Sequence, residues 1–247
     1  MLPAIKSEFR KLLTVRSTYM NIILCMLIVA LFAGYGSGFR GAAGDLANPG
    51  YLADQSTSAI VFVGLILAFV GLLLAGHEYR YNTITYTLTT ANRRVKVLFA
   101  KFIAVSVFAT VAGLVMIFFS PLCTIIGAQL ADKHLGPQVF HVWSVVWPSV
   151  FCAWGYAMYA LILLLIMRNQ IGAIVTFLLV PLVGESILQQ LFKHIGSSLP
   201  FTAVQGVAQP MGLGNSTSTG HEVMVVGIYV AAGLLVSTVL FLRRDAN

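Results

Sequence analysis

Two His-Glu pairs, His77-Glu78 and His221-Glu222, begin the pattern by which one helix face offers zinc two histidines and a catalytic glutamate. The fifth position is Tyr81 in the first and Val225 in the second. Without a second histidine one turn on, neither pair can hold the metal. His134 and His141 share a short segment that lacks a carboxylate cluster. Ser37 stands in GYGSG (Gly34–Gly38) without the glycine two residues earlier that a nucleophile elbow requires. No Gly-Lys pair occurs, so the chain has no P-loop for a nucleotide phosphate. Cys25, Cys123 and Cys152 lie far apart within apolar runs and read as small packing residues. Neither a metal nor a cofactor is expected. The residues left over for function form one polar stretch, GHEYRYNTITYTLTTANRRVKVLFAK (76–101). It carries Glu78 with Arg80, Arg93, Arg94, Lys96 and Lys101. Those types suit contact with another macromolecule better than bond-making.

The elements that must position this stretch follow from composition. Only 9% of the 247 residues are charged, 58% are hydrophobic and the mean hydropathy is +0.89. A soluble domain carries about 25% charged residues, so the fold class expected is an all-α integral membrane protein. The net charge of +7 then points to membrane orientation rather than to nucleic acid. Uncharged runs of membrane-crossing length place six spans near 17–39, 55–76, 93–125, 142–167, 170–191 and 223–242 of a single transmembrane domain, 1–247. GYGSG should fray or break the first span, and Pro121 should kink the third or begin its exit loop. Gly64 and Gly71 offer close helix approach in the second. Trp143 and Trp147 fit an interfacial belt in the fourth.

Before the first span, Leu2, Ile5, Phe9, Leu12 and Leu13 recur at helical steps while Lys6, Ser7 and Arg10 face away. This is an amphipathic helix for the headgroup layer, with Lys11 and Arg16 adding to its charge. A cleaved signal peptide would need a shorter apolar run and a small-residue site after it. Residues 186–222 are too polar to span and too apolar for a plain loop. Within them ILQQLFKHI could be a short amphipathic helix, and the segment could dip partway into the bundle. Asn215-Ser216-Thr217 is a glycosylation-type triplet. Glu185, a full span beyond Gln170, falls near the opposite surface. With both ends on the cytoplasmic side, nearly all basic residues lie inside and only Arg40, Lys133 and Lys193 outside.

In the stretch 76–101 itself, Ile84, Leu88, Ala91, Val95, Leu98 and Phe102 step by three and four, as one stripe or as two short helices broken near Thr89–Asn92. A solvated basic loop that only sets orientation would show the same charges. The pattern also resembles the ABC type 2 exporter permeases, whose loop after span two reads E-[FY]-x-x-G-T-x-x-x-L-L-x-x-P-x-S-R-x-x-x-x-x-A-K. Glu78-Tyr79 matches its opening, Thr83 its threonine, Leu88 a leucine, Arg93-Arg94 the basic pair and Ala100-Lys101 the end. The opening SEFRKLLTVRST (7–18) is similar to that family's entry. Asn82 replaces the glycine, and the proline is missing.

The resemblance implies a membrane subunit of an exporter in the plasma membrane, for a hydrophobic or amphiphilic solute such as a drug, peptide antibiotic or lipid. Two permeases, identical or paired with a sister chain, would enclose a pathway lined by spans two and five, with Phe62, Phe69, Phe177 and Glu185 as candidates. A separate ATPase subunit would grip Glu78, Tyr79, Arg80, Asn82, Thr83, Leu88, Arg93 and Arg94, while Lys6, Arg10, Lys11 and Arg16 anchor the interfacial helix. Residues 186–222 would be an outer gate. An ATP-independent carrier or membrane scaffold is the alternative, and an intramembrane enzyme lacks its nucleophile or metal motif. The expected orientation has a direct check. A membrane-impermeant maleimide should label His134→Cys on intact cells, in a background lacking the native cysteines, and Thr83→Cys only after permeabilisation.

Overall fold

The computed structural model describes residues 2–81, 94–192, 196–208 and 218–243. Asn82, Thr83, Leu88 and Arg93, the side chain of Arg94, Lys193 and the triplet at Asn215 lie outside the described residues. Helix α1 (Leu2–Thr14) is followed by α2 (Arg16–Val29), which continues as a π-helix over Ala30–Arg40. After the short α3 (Ala43–Leu46) come α4 (Tyr51–Arg80), α5 (Arg94–Leu130) and α6 (Val142–Met167). Helix α7 (Gln170–Leu179) passes through a π-turn at Val180–Gly184 into α8 (Glu185–Leu191). The last two are α9 (Pro200–Ala208) and α10 (Thr219–Arg243). Six of these continuous helical stretches are long and apolar enough to cross a membrane: Arg16–Arg40, Tyr51–Arg80, Val95–Leu130, Val142–Met167, Gln170–Leu191 and Thr219–Arg243.

Helices α4 and α6 form the centre. Each buries 67% of its most apolar window within the chain, against 28% for the first span, 17% for the fifth and 28% for the sixth. The outer spans therefore leave apolar faces for lipid or for another chain. Gly64 and Gly71 let α4 meet α6. A Cβ at Gly64 would crowd the Tyr156 ring, and one at Gly71 would lie 3.1 Å from the Ala157 carbonyl oxygen. Arg168, in the left-handed region at φ 53°, ends α6, and the Asn169 carboxamide then accepts from the Ile171 and Gly172 amides to start α7.

The structure departs from the sequence expectations at several helix ends. The glycines of GYGSG do not break the first span, because they bring its π-helical half against α5. A Cβ on Gly38 would sit 2.5 Å from the Gly127 carbonyl oxygen, and one on Gly127 would strike Gly34. The Ser37 hydroxyl donates to the Thr124 carbonyl at 2.8 Å and fixes the register. Pro121 does not end the third span, which runs to Leu130. A proline removes one backbone hydrogen bond, and packing on both sides of it keeps the helix continuous. The second span extends past Gly76 to Arg80, and the sixth begins at Thr219 rather than Val223. In the second span the added turn carries Glu78 into helix because Lys11 and Lys101 receive it. Gly127→Ala should force α5 from the first span and cost about 1–3 kcal/mol, read as a lower Tm of the purified chain. Gly44→Ala, where nothing stands near the added carbon, should leave Tm unchanged.

Candidate functional site

At the end of the bundle where α1, α4 and α5 converge, three buried charged side chains meet a fourth that is half-buried. Glu8 on α1 is 2% exposed, Glu78 on α4 6% and Lys101 on α5 1%. Lys11, one turn after Glu8, closes the group. Its ammonium donates to Glu8 Oε1 at 2.8 Å and to Glu78 Oε1 at 2.5 Å. Lys101 Nζ lies 3.1 Å from Glu8 Oε2 and 2.9 Å from Glu78 Oε2. Each acid thus touches both bases, and the four formal charges cancel. Burying any one alone would be costly, whereas a closed, neutral ring can be held in a low-dielectric setting.

Local sequence explains why the ring forms. Ile5, Glu8, Phe9 and Leu12 share one face of α1, so the face that carries Leu12 into the core carries Glu8 with it. Glu78 follows Leu74 and Ala75 by one turn on the buried side of α4, and Lys101 follows Leu98 on that of α5. Burial pushes the Lys11 ammonium down. The hydrogen bonds and charges of Glu78 and Glu8 more than offset it and hold the pKa above the ordinary lysine value. A raised pKa stabilises the fold at every pH below the unfolded value, and that contribution is lost only as pH rises through the folded one.

The expected site residues divide. Glu78, expected on a loop face, is inside the ring. Tyr79 is half-buried against the core, and Arg80 is exposed with its guanidinium 5.6 Å from the Tyr81 ring centre. Lys6, Arg10 and Arg16 are exposed, and Lys11 is drawn inward. Glu8 was not singled out by the sequence reading, although its place on an apolar stripe was the available signal. Of the pathway candidates, Phe62 is 46% exposed and stacks on Phe32, while Phe177 is fully enclosed among Phe69, Tyr156 and Phe201. Glu185 is 3% exposed. Its carboxylate accepts from the Phe201 amide at 2.8 Å and from the Thr202 amide and hydroxyl at 2.7 Å each. It therefore caps the N-terminus of α9, where the helix dipole favours a negative charge. Among the described residues no group of three or more metal-ligating side chains is present.

The family model described as ABC-2 family transporter protein matches residues 4–184, a range that contains all four members of the ring. No curated protein matches the chain. Lys101→Met should leave the two acids undercompensated and cost about 3–5 kcal/mol, measured as a fall in Tm. The double variant Glu8→Gln/Lys101→Met, which restores charge balance, should recover most of that loss. In the parent chain, stability should show no lysine-linked decline until the pH exceeds the ordinary lysine range.

Proposed function

Because the chain belongs to the ABC-2 transporter family, we propose that it is the membrane permease of an ATP-driven exporter whose ATPase is a separate subunit. One observation supports the coupling route above others. The ring of Glu8, Lys11, Glu78 and Lys101 joins α1 to the two helices that flank residues 82–93. A push on the segment between Tyr81 and Arg94 would be delivered to both spans and to α1 together. Two copies, or one copy with a sister chain, would form the pathway, with ATPase subunits on the cytoplasmic side that holds both termini. Energy then enters through different ATPase contacts in two bundle states, which is all that alternating access requires.

In this reading the residues split by task. Asn82, Thr83, Leu88, Arg93 and Arg94, with exposed Arg80, meet the ATPase, while Glu78 transmits from inside. Residues 186–222 act as an outer gate, and the Glu185 cap on α9 supports that reading. The solute is hydrophobic or amphiphilic, since the open faces of the spans are apolar and Phe62 presents an aromatic surface. Its class is a drug, peptide antibiotic or lipid.

The test is co-purification of the chain with a P-loop ATPase, followed by transport and hydrolysis assays in proteoliposomes. Arg93→Ala should lower solute export at least several-fold per ATP hydrolysed, with normal membrane insertion and an unchanged Tm. Export that proceeds at the parental rate without any ATPase would overturn the reading in favour of an ATP-independent carrier.

A further inference from the structure

Two cavities join at Ser17. The first, of about 440 Å³, opens beside the ion ring and is lined by Lys11, Thr18, His77 and Tyr81 together with Ser17 and Leu73. The second, of about 560 Å³, runs along the seam of α2 and α4, between Met20, Leu24 and Leu27 on one side and Ile66 and Phe69 on the other. Ser17 and Leu73 line it too. The result is one groove whose mouth brings Lys11, His77 and the hydroxyl residues Ser17 and Thr18 among apolar side chains, and whose deeper part is an apolar channel. From Ser17 to Leu27 the channel descends about 15 Å, at 1.5 Å per residue, which is the depth of one leaflet of a ~30 Å hydrocarbon core.

We propose that this groove holds a glycerophospholipid whose headgroup carries a net negative charge, drawn from the leaflet at the α1 end. Charge complementarity selects the occupant. The acids at the mouth, Glu8 and Glu78, are buried and engaged by lysines, whereas Lys11 keeps 34% of its side chain exposed. The ring itself is neutral, so the excess positive charge is that of exposed Arg16 and Arg80, which adjoin the lining residues Ser17 and Tyr81 in sequence. An ammonium has three donors, and Lys11 gives only two of them to the ring, which leaves one for a phosphate oxygen. The Ser17 hydroxyl is buried at the junction with no hydrogen-bond partner, and a phosphate or glycerol ester oxygen would supply one. One acyl chain lies along Met20, Leu24 and Leu27 against Phe69. The lipid thereby touches the ring through Lys11 and would make its stability sensitive to leaflet composition.

The experiment uses the full chain in nanodiscs of equal parts phosphatidylglycerol and phosphatidylcholine, with native mass spectrometry of the lipid retained after mild detergent release. Both lipids offer a phosphate to Lys11 and Ser17, but the choline ammonium cancels that charge beside Arg16 and Arg80, so one phosphatidylglycerol per chain should be kept over phosphatidylcholine by about tenfold, roughly the worth of one charge-assisted contact. Ser17→Trp should abolish retention. If that variant does not fold, Met20→Trp decides, since Met20 is 69% exposed and its replacement fills the channel from outside. Equal retention of the two lipids would overturn the proposal, as would undiminished retention in a folded tryptophan variant. So would disulfide pairing of Met20→Cys between copies, which would give the groove to a second chain. The readout needs only the permease, so it stands or falls apart from ATPase coupling.

Discussion

Two carboxylates and two ammoniums cannot be left apart in the apolar ends of a helix bundle, and the architecture around α1 follows from that constraint. Glu78 and Lys101 belong to helices otherwise composed for lipid, and neither can stay charged there without the other. Glu8 and Lys11 complete the neutralisation only if α1 lies across the ends of α4 and α5. A ring of this kind adds little net stability compared with well-packed apolar side chains. What it contributes is specificity, since sliding α1 by one residue would part both contacts that tie it to the spans, Lys11–Glu78 and Glu8–Lys101.

The rest of the bundle is held by close approach more than by charge. Backbone meets backbone where Gly34, Gly38 and Gly127 join the first span to α5, and again where Gly64 and Gly71 join α4 to α6. Between helices that lipid could equally solvate, such contacts are the main source of selectivity. At the other end, Glu185 gives α9 a charged cap, and Phe177, Phe201, Tyr156 and Tyr159 pack edge to face beneath it. The molecule thus has a rigid charged joint at one end and an aromatic floor at the other, with three loosely enclosed spans between that are free to meet lipid or a second chain.

The six spans and the helical class were legible in the sequence because charge is so sparse that each long uncharged run identifies itself. Helix ends were less legible, for one physical reason. A charged residue at the edge of an apolar run looks like the start of a loop unless its partner is known, and those partners are distant in sequence. Glu78 therefore looked like a loop residue, although Lys101 and Lys11 keep it helical and buried. Glu222 looked like the end of a turn, although it lies in α10, buried beside Gly206 of α9. Glu8 could have been found, since it breaks an apolar stripe at a position that must face inward. GYGSG misled because glycine runs usually end helices, and only the facing glycine of α5 reveals why this one continues.

The claim on which everything else depends is that α1 and the adjoining ends of α4 and α5 move as one body when the ATPase acts. The direct measurement is the spin-label distance between Arg10→Cys and Tyr81→Cys in the assembled transporter, with the native cysteines replaced, in nucleotide-free and vanadate-trapped states. The account predicts one narrow distance that is the same in both states. An Arg10–Tyr81 distance that shifts or splits on trapping would contradict it, because the ring would then be opening rather than transmitting.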